Sequence, residues 1–228
     1  EAEKRLLAGQ DSKSYLGLAG DMAFNDAIAK LVFGADADTA RIRAAQTPGG
    51  SGALRLVADL LKRARPDATV WVSDPTWTNH VAILRAAGLQ VREYPYFDAD
   101  AGMVCFDAML AALRGAPAGD VVLLHGCCHN PTGANLDVRQ WAAVADLLVE
   151  KDLLPFIDIA YQGFGDGLDA DAEGLRIVAA KVPEMVVAAS CSKNFAVYRD
   201  RVGAAMVMTA KREQADATMS QMLVGART

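Results

Sequence analysis

Val186-Val187-Ala188-Ala189-Ser190-Cys191-Ser192-Lys193 is an apolar run that ends in hydroxyls and then an amine. Apolar residues without alternation fit a strand buried on both faces, here starting at Met185 and delivering Lys193 to its polar end. Outward from it the same unit recurs. Thr69-Val70-Trp71-Val72, Val91 to Tyr94, Val121-Val122-Leu123-Leu124, Pro155 to Ile159 and Val202 to Met208 read as further strands. Between them lie helical patterns: Ala53 to Ala64, a helix through Val81-Ala82-Ile83-Leu84, Phe106 to Leu113, Asp137 to Glu150, Ala172 to Ala180 and Glu213 to Val224. Strand–helix alternation with unalternating strands predicts an α/β fold, a largely parallel sheet covered by helices on both faces. Ligands of such sheets sit beyond the carboxyl ends of the strands, where Lys193 falls.

The bulk properties narrow the function. A chain of 228 residues, 52% hydrophobic and 22% charged, has ample core for one domain. A net charge of −5 without a basic stripe argues against nucleic acid and anionic membranes as partners. No apolar run reaches the length of a membrane span, and the start, Glu1-Ala2-Glu3-Lys4-Arg5, carries no secretory signal. Cys105, Cys127, Cys128 and Cys191 form no disulfide framework, which points to a reducing compartment. Residue 1 is not Met, and the chain stops at Gly225-Ala226-Arg227-Thr228 without a closing element, so the sequence reads as a fragment of a longer protein.

Several segments carry chemistry. An amine beside hydroxyls, with Arg201 eight residues on, suits an aldehyde cofactor bearing a phosphate: the amine bonds the carbonyl carbon, and the hydroxyls and guanidinium hold the dianion. By itself, a lysine after a strand is usually a surface residue, and its company in the chain overturns that reading. Thr47-Pro48-Gly49-Gly50-Ser51-Gly52, before the helix at Ala53, can cradle a phosphate on free backbone N–H groups, or be a merely structural N-cap. It lacks the lysine of a Walker loop and follows no obvious strand. In Ser73-Asp74-Pro75-Thr76-Trp77-Thr78-Asn79-His80, Trp77 can stack on a planar ring or pack in the core. His125-Gly126-Cys127-Cys128-His129-Asn130-Pro131-Thr132-Gly133 holds metal-ligating residue types, but four ligands within five residues cannot easily wrap one tetrahedral ion, so a turn is expected and no metal. Asp158, between Ile157 and Ile159, needs a partner: a protonated ring nitrogen or a structural salt bridge.

Taken in order, the chain offers a glycine/serine loop, a tryptophan, an asparagine, a buried aspartate with Tyr161, and a Ser-x-Ser-Lys with a downstream arginine. This set resembles the fold-type I pyridoxal-phosphate enzymes, and within them the class I aminotransferases of the aspartate and aromatic amino-acid subgroup. The closest segments are Gly50-Ser51-Gly52-Ala53-Leu54-Arg55, His125 to Gly133, Asp158-Ile159-Ala160-Tyr161-Gln162-Gly163-Phe164 and Ser192-Lys193-Asn194-Phe195. The resemblance runs from Tyr15-Leu16-Gly17 to Arg227.

The resemblance implies a three-layer αβα architecture with a mostly parallel sheet. Residues 1–228 would be part of the large domain that binds pyridoxal 5′-phosphate, with the small substrate-closing domain and N-terminal arm largely outside. It implies Lys193, Asp158 and Tyr161 as catalytic residues. Lys193 is the amine that bonds the cofactor and then shuttles the proton between substrate Cα and cofactor C4′. Asp158 pairs with the ring nitrogen. Asn130 and Tyr161 hydrogen-bond the ring's phenolic oxygen, and Trp77 stacks on the ring. Gly50, Ser51, Ser190 and Arg201 hold the phosphate, His80 supports Asp158, and His125 lies near the ring. Trp77 and Asn130 also meet substrate. Tyr15 and Arg227 serve the neighbouring subunit of a homodimer, at its phosphate and at a substrate's distal carboxylate. The arginine for the α-carboxylate lies outside this chain, and Ala196 stands where glycine or serine is commoner.

The implied activity is ping-pong transamination between aspartate, tyrosine or phenylalanine and 2-oxoglutarate, in the cytoplasm. The alternatives are an inactive structural fragment and a lyase on the same fold. A nicotinamide dehydrogenase fits the sheet but not the glycine pattern.

Overall fold

The computed structural model describes residues 1–9, 12 and 14–226. In chain order the elements are α1 (Ala2–Gly9), α2 (Met22–Phe33), a 3-10 turn (Thr39–Arg41), β1 (Ile42–Pro48), α3 (Gly49–Ala64), β2 (Thr69–Asp74), α4 (Thr78–Ala86) and β3 (Gln90–Pro95). A small hairpin, β4 (Phe97–Asp98) and β5 (Met103–Val104), precedes α5 (Phe106–Arg114), β6 (Val121–His125) and α6 (Val138–Glu150). Then follow β7 (Leu154–Ile159), α7 (Ala170–Lys181), β8 (Met185–Ser190), β9 (Val202–Met208) and α8 (Arg212–Gly225). Each strand and helix expected from the sequence is present within a few residues, and α2, β1 and the hairpin are additional.

Seven strands form one sheet in the order β1-β9-β8-β7-β6-β2-β3. Strands β8, β7, β6, β2 and β3 are mutually parallel, and β9 runs antiparallel to both β8 and β1. Alternation along the strands divides the core. Val187, Ala189, Ile157, Val122 and Leu124 pack with α2, α5, α6 and α7. Val186, Ala188, Phe156, Val121 and Leu123 pack with α3, α4 and α8 on the other face. Burial of both faces is why these strands read as continuous apolar runs.

Local chemistry fixes the helix starts. Asp137 caps α6 in a reciprocal box, accepting from the Gln140 N–H at 2.8 Å while the Gln140 side chain accepts from the Asp137 N–H at 2.9 Å. Asp21 caps α2 by accepting from the Phe24 N–H at 2.9 Å. No helix among the described residues is long and apolar enough to cross a membrane.

Candidate active site

The topology explains why distant segments meet. The parallel strands β2, β6, β7 and β8 end at one edge of the sheet, at Asp74, His125, Ile159 and Ser190. Strand β1, two reversals from β8, ends at the same edge, so α3 begins there at Gly49. The reversed strand β9 starts there, which places Arg201 beside Ser190 and Gly49: Ser190 pairs with Gly203, and Pro48 with Val202. Thr47 to Gly52 therefore does follow a strand, and Gly50 and Ser51 are the first turn of α3 rather than a loop ahead of it. Strand β1 was hidden because Arg43, Gln46 and Thr47 interrupt its apolar pattern.

A cavity of about 200 Å³ opens at this edge. Gly50, Ser51, Trp77, His125, Asn130, Asp158, Tyr161, Ser190, Lys193 and Arg201 line it, joined by Leu54, Cys127, Ala160, Ser192 and Tyr198. At one end, the N-terminal turn of α3 faces Ser190, Ser192 and Arg201. Arg201 Nη1 donates to Ser192 Oγ at 3.3 Å and to the Tyr198 carbonyl at 3.1 Å, from a left-handed backbone (φ 54°). Gly49 has φ 74°, and a Cβ there would come within 2.6 Å of Arg201 Nη2. A Cβ on Gly50 would stand 2.9 Å from Ser190 Cβ. The backbone is bare where it faces hydroxyls and a guanidinium, as an anion cradle requires.

Asp158 also lines the cavity. It shares the sheet face of Phe156, toward α4, and is nearly buried. His80 of α4, fully buried, bonds Asp158 Oδ2 through Nε2 at 2.8 Å. Lys193 Nζ lies 4.2 Å from the centre of the Tyr161 ring, with the ring's electron-rich face toward it.

All three histidines of the chain converge here in two hydrogen-bond chains, and in the first of them the protons are fixed. The Asn130 backbone N–H donates to His125 Nδ1 at 3.4 Å, so a neutral His125 carries its proton on Nε2. That nitrogen donates to Thr76 Oγ1 at 3.1 Å, Thr76 donates to His80 Nδ1 at 2.9 Å, and His80 Nε2–H is left to donate to Asp158. The second chain starts at the Ala134 N–H, which donates to Thr132 Oγ1 at 3.2 Å. Thr132 Oγ1 is also hydrogen-bonded to His129 Nδ1 at 2.9 Å, and His129 Nε2 to Ser73 Oγ at 2.9 Å. His129 is stacked on Tyr96 at 4.0 Å between centroids and lies 4.1 Å from the His125 ring. Burial lowers the His125 pKa well below 6.5, with the neighbouring imidazoles adding to it, and burial pulls His129 down to about 4. Both rings are neutral at pH 7.

Thr76, Ser73 and Tyr198 were not singled out from sequence. For Thr76 the one available signal was its spacing of four residues from His80. Tyr15 is fully exposed and takes no part in this cavity. Arg227 lies outside the described residues. Cys127 and Cys128 turn toward Asp171 rather than joining His125 and His129 at one ion site.

The sequence matches the family Aminotransferase class I and II over residues 1–228. It is 49% identical to the aromatic-amino-acid aminotransferase of Paracoccus denitrificans, over 96% of this chain and 56% of that protein. It is 50% identical to the aspartate aminotransferase of Salmonella typhi, over 97% of this chain and 57% of that protein. Its fold superposes with a TM-score of 0.95 on a crystal structure of the aromatic-amino-acid aminotransferase of Burkholderia pseudomallei, covalently bound to pyridoxal phosphate. That protein is 42% identical, and the match covers 99% of this chain and 57% of the other. The chain thus spans little more than half the length of these relatives. On the family match and these identities, the chain belongs to the class I and II aminotransferases.

Proposed function

We propose that the chain forms the cofactor-holding part of a pyridoxal-phosphate aminotransferase acting on aspartate, tyrosine or phenylalanine, with 2-oxoglutarate as acceptor in a ping-pong cycle. The observation that carries this reading is the single cavity bounded by an amine, a buried carboxylate and an anion cradle. Its donor set fits the cofactor: Ser51, Ser190, Ser192, Arg201 and the first turn of α3 for a phosphate dianion, Trp77 and Ala160 for ring faces, Asn130 and Tyr161 for a phenolic oxygen, and Asp158 for the ring nitrogen. Bound there, pyridoxal phosphate supplies an aldehyde carbon and a protonated ring that takes up the electron pair left when the substrate's Cα loses its proton.

The chain's own residues do the rest. Lys193 Nζ, in the cavity wall, would hold the aldehyde carbon and, when free, would carry the proton from substrate Cα to the carbon that had been the aldehyde's. The Tyr161 ring beside Nζ restricts where that amine stands. The His80 N–H stabilises the Asp158 carboxylate and holds it in one orientation. Arg201, fixed by Ser192 and the Tyr198 carbonyl, anchors the phosphate so that the ring cannot drift from Lys193.

The working unit of this reading is a homodimer with shared sites. Tyr15 is too exposed to serve its own cavity, and Leu6, Leu7, Leu16 and Leu18 lie exposed with it, as expected of a segment that reaches a partner. We place Tyr15 at the partner's phosphate and Arg227 at a distal carboxylate. Four cysteines without a disulfide support a reducing, cytoplasmic setting.

The test is an absorbance titration with pyridoxal phosphate, followed by borohydride reduction and peptide mapping. We expect a pH-dependent band and a reduced adduct on Lys193. Aspartate and tyrosine are then added separately to see which converts the band. A folded chain with no band and an unmodified Lys193 would make this span a structural fragment.

A further inference from the structure

We propose that Cys127 and Cys128 form a vicinal dithiol site for trivalent arsenicals, arsenous acid or an organoarsenical dihydroxide, built in the wall of the cavity from residues outside the proposed cofactor-binding set. In extended backbone, consecutive side chains point to opposite faces. Cys128 breaks that alternation with a left-handed backbone (φ 46°), and both sulfurs come together with the Asp171 carboxylate, all ligand atoms within 4.8 Å of one another. Cys127 is buried and lines the cavity, whereas Cys128 is only half-buried, so one thiol is open to an incoming reagent and the other closes the ring.

The surroundings select the ligand class. Asp171 is buried and already accepts the backbone N–H groups of Gly163 at 2.7 Å, Gly165 at 2.9 Å and Asp166 at 2.8 Å. It pins that turn beside the sulfurs. Burial first, then the neighbouring Cys128 and then this carboxylate, raise the Cys127 pKa, and burial with Asp171 raises that of Cys128. A divalent ion such as zinc takes four ligands in a closed site, whereas this cluster offers two sulfurs and a carboxylate already engaged by three backbone N–H groups. A trivalent arsenic hydroxide needs only thiols: two As–O and two S–H bonds break, two As–S bonds form, and two waters leave. Arsenic stays trivalent, and no oxidant or reductant takes part. The third ligand of arsenous acid, a hydroxyl, can donate to Asp171.

The experiment uses the intact protein with sodium arsenite and, separately, phenylarsine oxide. Native mass and free-thiol titration are read together, with alkylation mapping of the wild type. We expect one arsenic per chain and the loss of two titratable thiols, with Cys127 and Cys128 as the protected pair. A small dithiol should reverse binding and an equal thiol concentration of monothiol should not. Cys127→Ser and Cys128→Ser should each weaken binding at least about tenfold, because the second bond of a chelate is intramolecular. Cys105→Ser and Cys191→Ser should bind as the wild type does. The proposal fails if the folded wild type takes no arsenic, if mapping protects other cysteines, or if either serine variant of the pair binds unchanged. The mapping needs no variant, so a misfolded mutant does not rescue it. None of these readouts depends on bound pyridoxal phosphate.

Discussion

Thr76 joins two buried imidazoles, accepting from His125 and donating to His80, so its hydroxyl sets which nitrogen of His80 faces Asp158. Thr76→Val keeps the shape and removes the joint. We expect it to destabilise the fold by about 1–3 kcal/mol, because two buried ring nitrogens lose their partner. It should also move the pH midpoint of the bound cofactor's absorbance, which a packing defect alone would leave in place. Asp158→Asn in the intact protein should lower kcat by about 10²–10³, the usual cost of removing a preorganised charged group, with the protein still folded. His129 predicts an acid limb in stability. Its pKa is near 6.5 unfolded and about 4 folded, so the unfolded chain binds the extra proton between those values. This contribution is complete above about pH 6.5, drains away as the pH falls through the folded value, and amounts to roughly 3 kcal/mol. Urea midpoints at pH 7 and pH 4.5 should differ less in His129→Phe than in the wild type. Lys193 and Asp158 were legible in the sequence because each breaks or ends an apolar run. Thr76 was not, since its partners lie 4 and 49 positions away and a threonine after a proline is ordinary turn composition.

At the level of elements, the junction of β1 and α3 decides how near the anion cradle comes to β8. The Cβ of Gly50→Ala would press on Ser190 at 2.9 Å, between two backbones that the sheet holds in place. We expect about 1–3 kcal/mol of lost stability from overpacking. Affinity for pyridoxal phosphate should fall at least about tenfold, a drop that 1.4 kcal/mol suffices to produce. Differential scanning and a cofactor titration measure the two effects. Strands β2, β6, β7 and β8 were readable because burial on both faces leaves little room for polar residues. Strand β1 lies at the sheet's edge, and its pattern is set by the small residues that face β9, Ala44 opposite Met206 and Ala45 opposite Ala205. Helix α2 escaped notice because Asn25 and Asp26 sit early in its apolar pattern. Asn25 is buried, and its side-chain amide donates to the Ala19 carbonyl at 2.8 Å.

On the scale of the molecule, α1 buries none of its residues, and the apolar side chains from Leu6 to Leu18 face outward. A second copy covering them predicts twice the chain mass in sedimentation of the intact protein. Changing Leu16 and Leu18 to Asp should shift it toward monomer, and Tyr15→Ala should weaken cofactor binding only if subunits share sites. The overall α/β class was legible from alternation alone. The antiparallel sense of β9 was not, because a buried strand reads the same in either direction. That reversed strand also governs when the site comes into being during synthesis. The cradle unites Gly50 with Arg201, and β1 finds its partner β9 only across most of the chain. Pairings so remote in sequence form late, after the local β–α units have condensed. Nascent chains released before Arg201 has emerged should retain helix and sheet signatures yet show no affinity for the cofactor. Cofactor uptake thus serves as a clock for completion of the sheet.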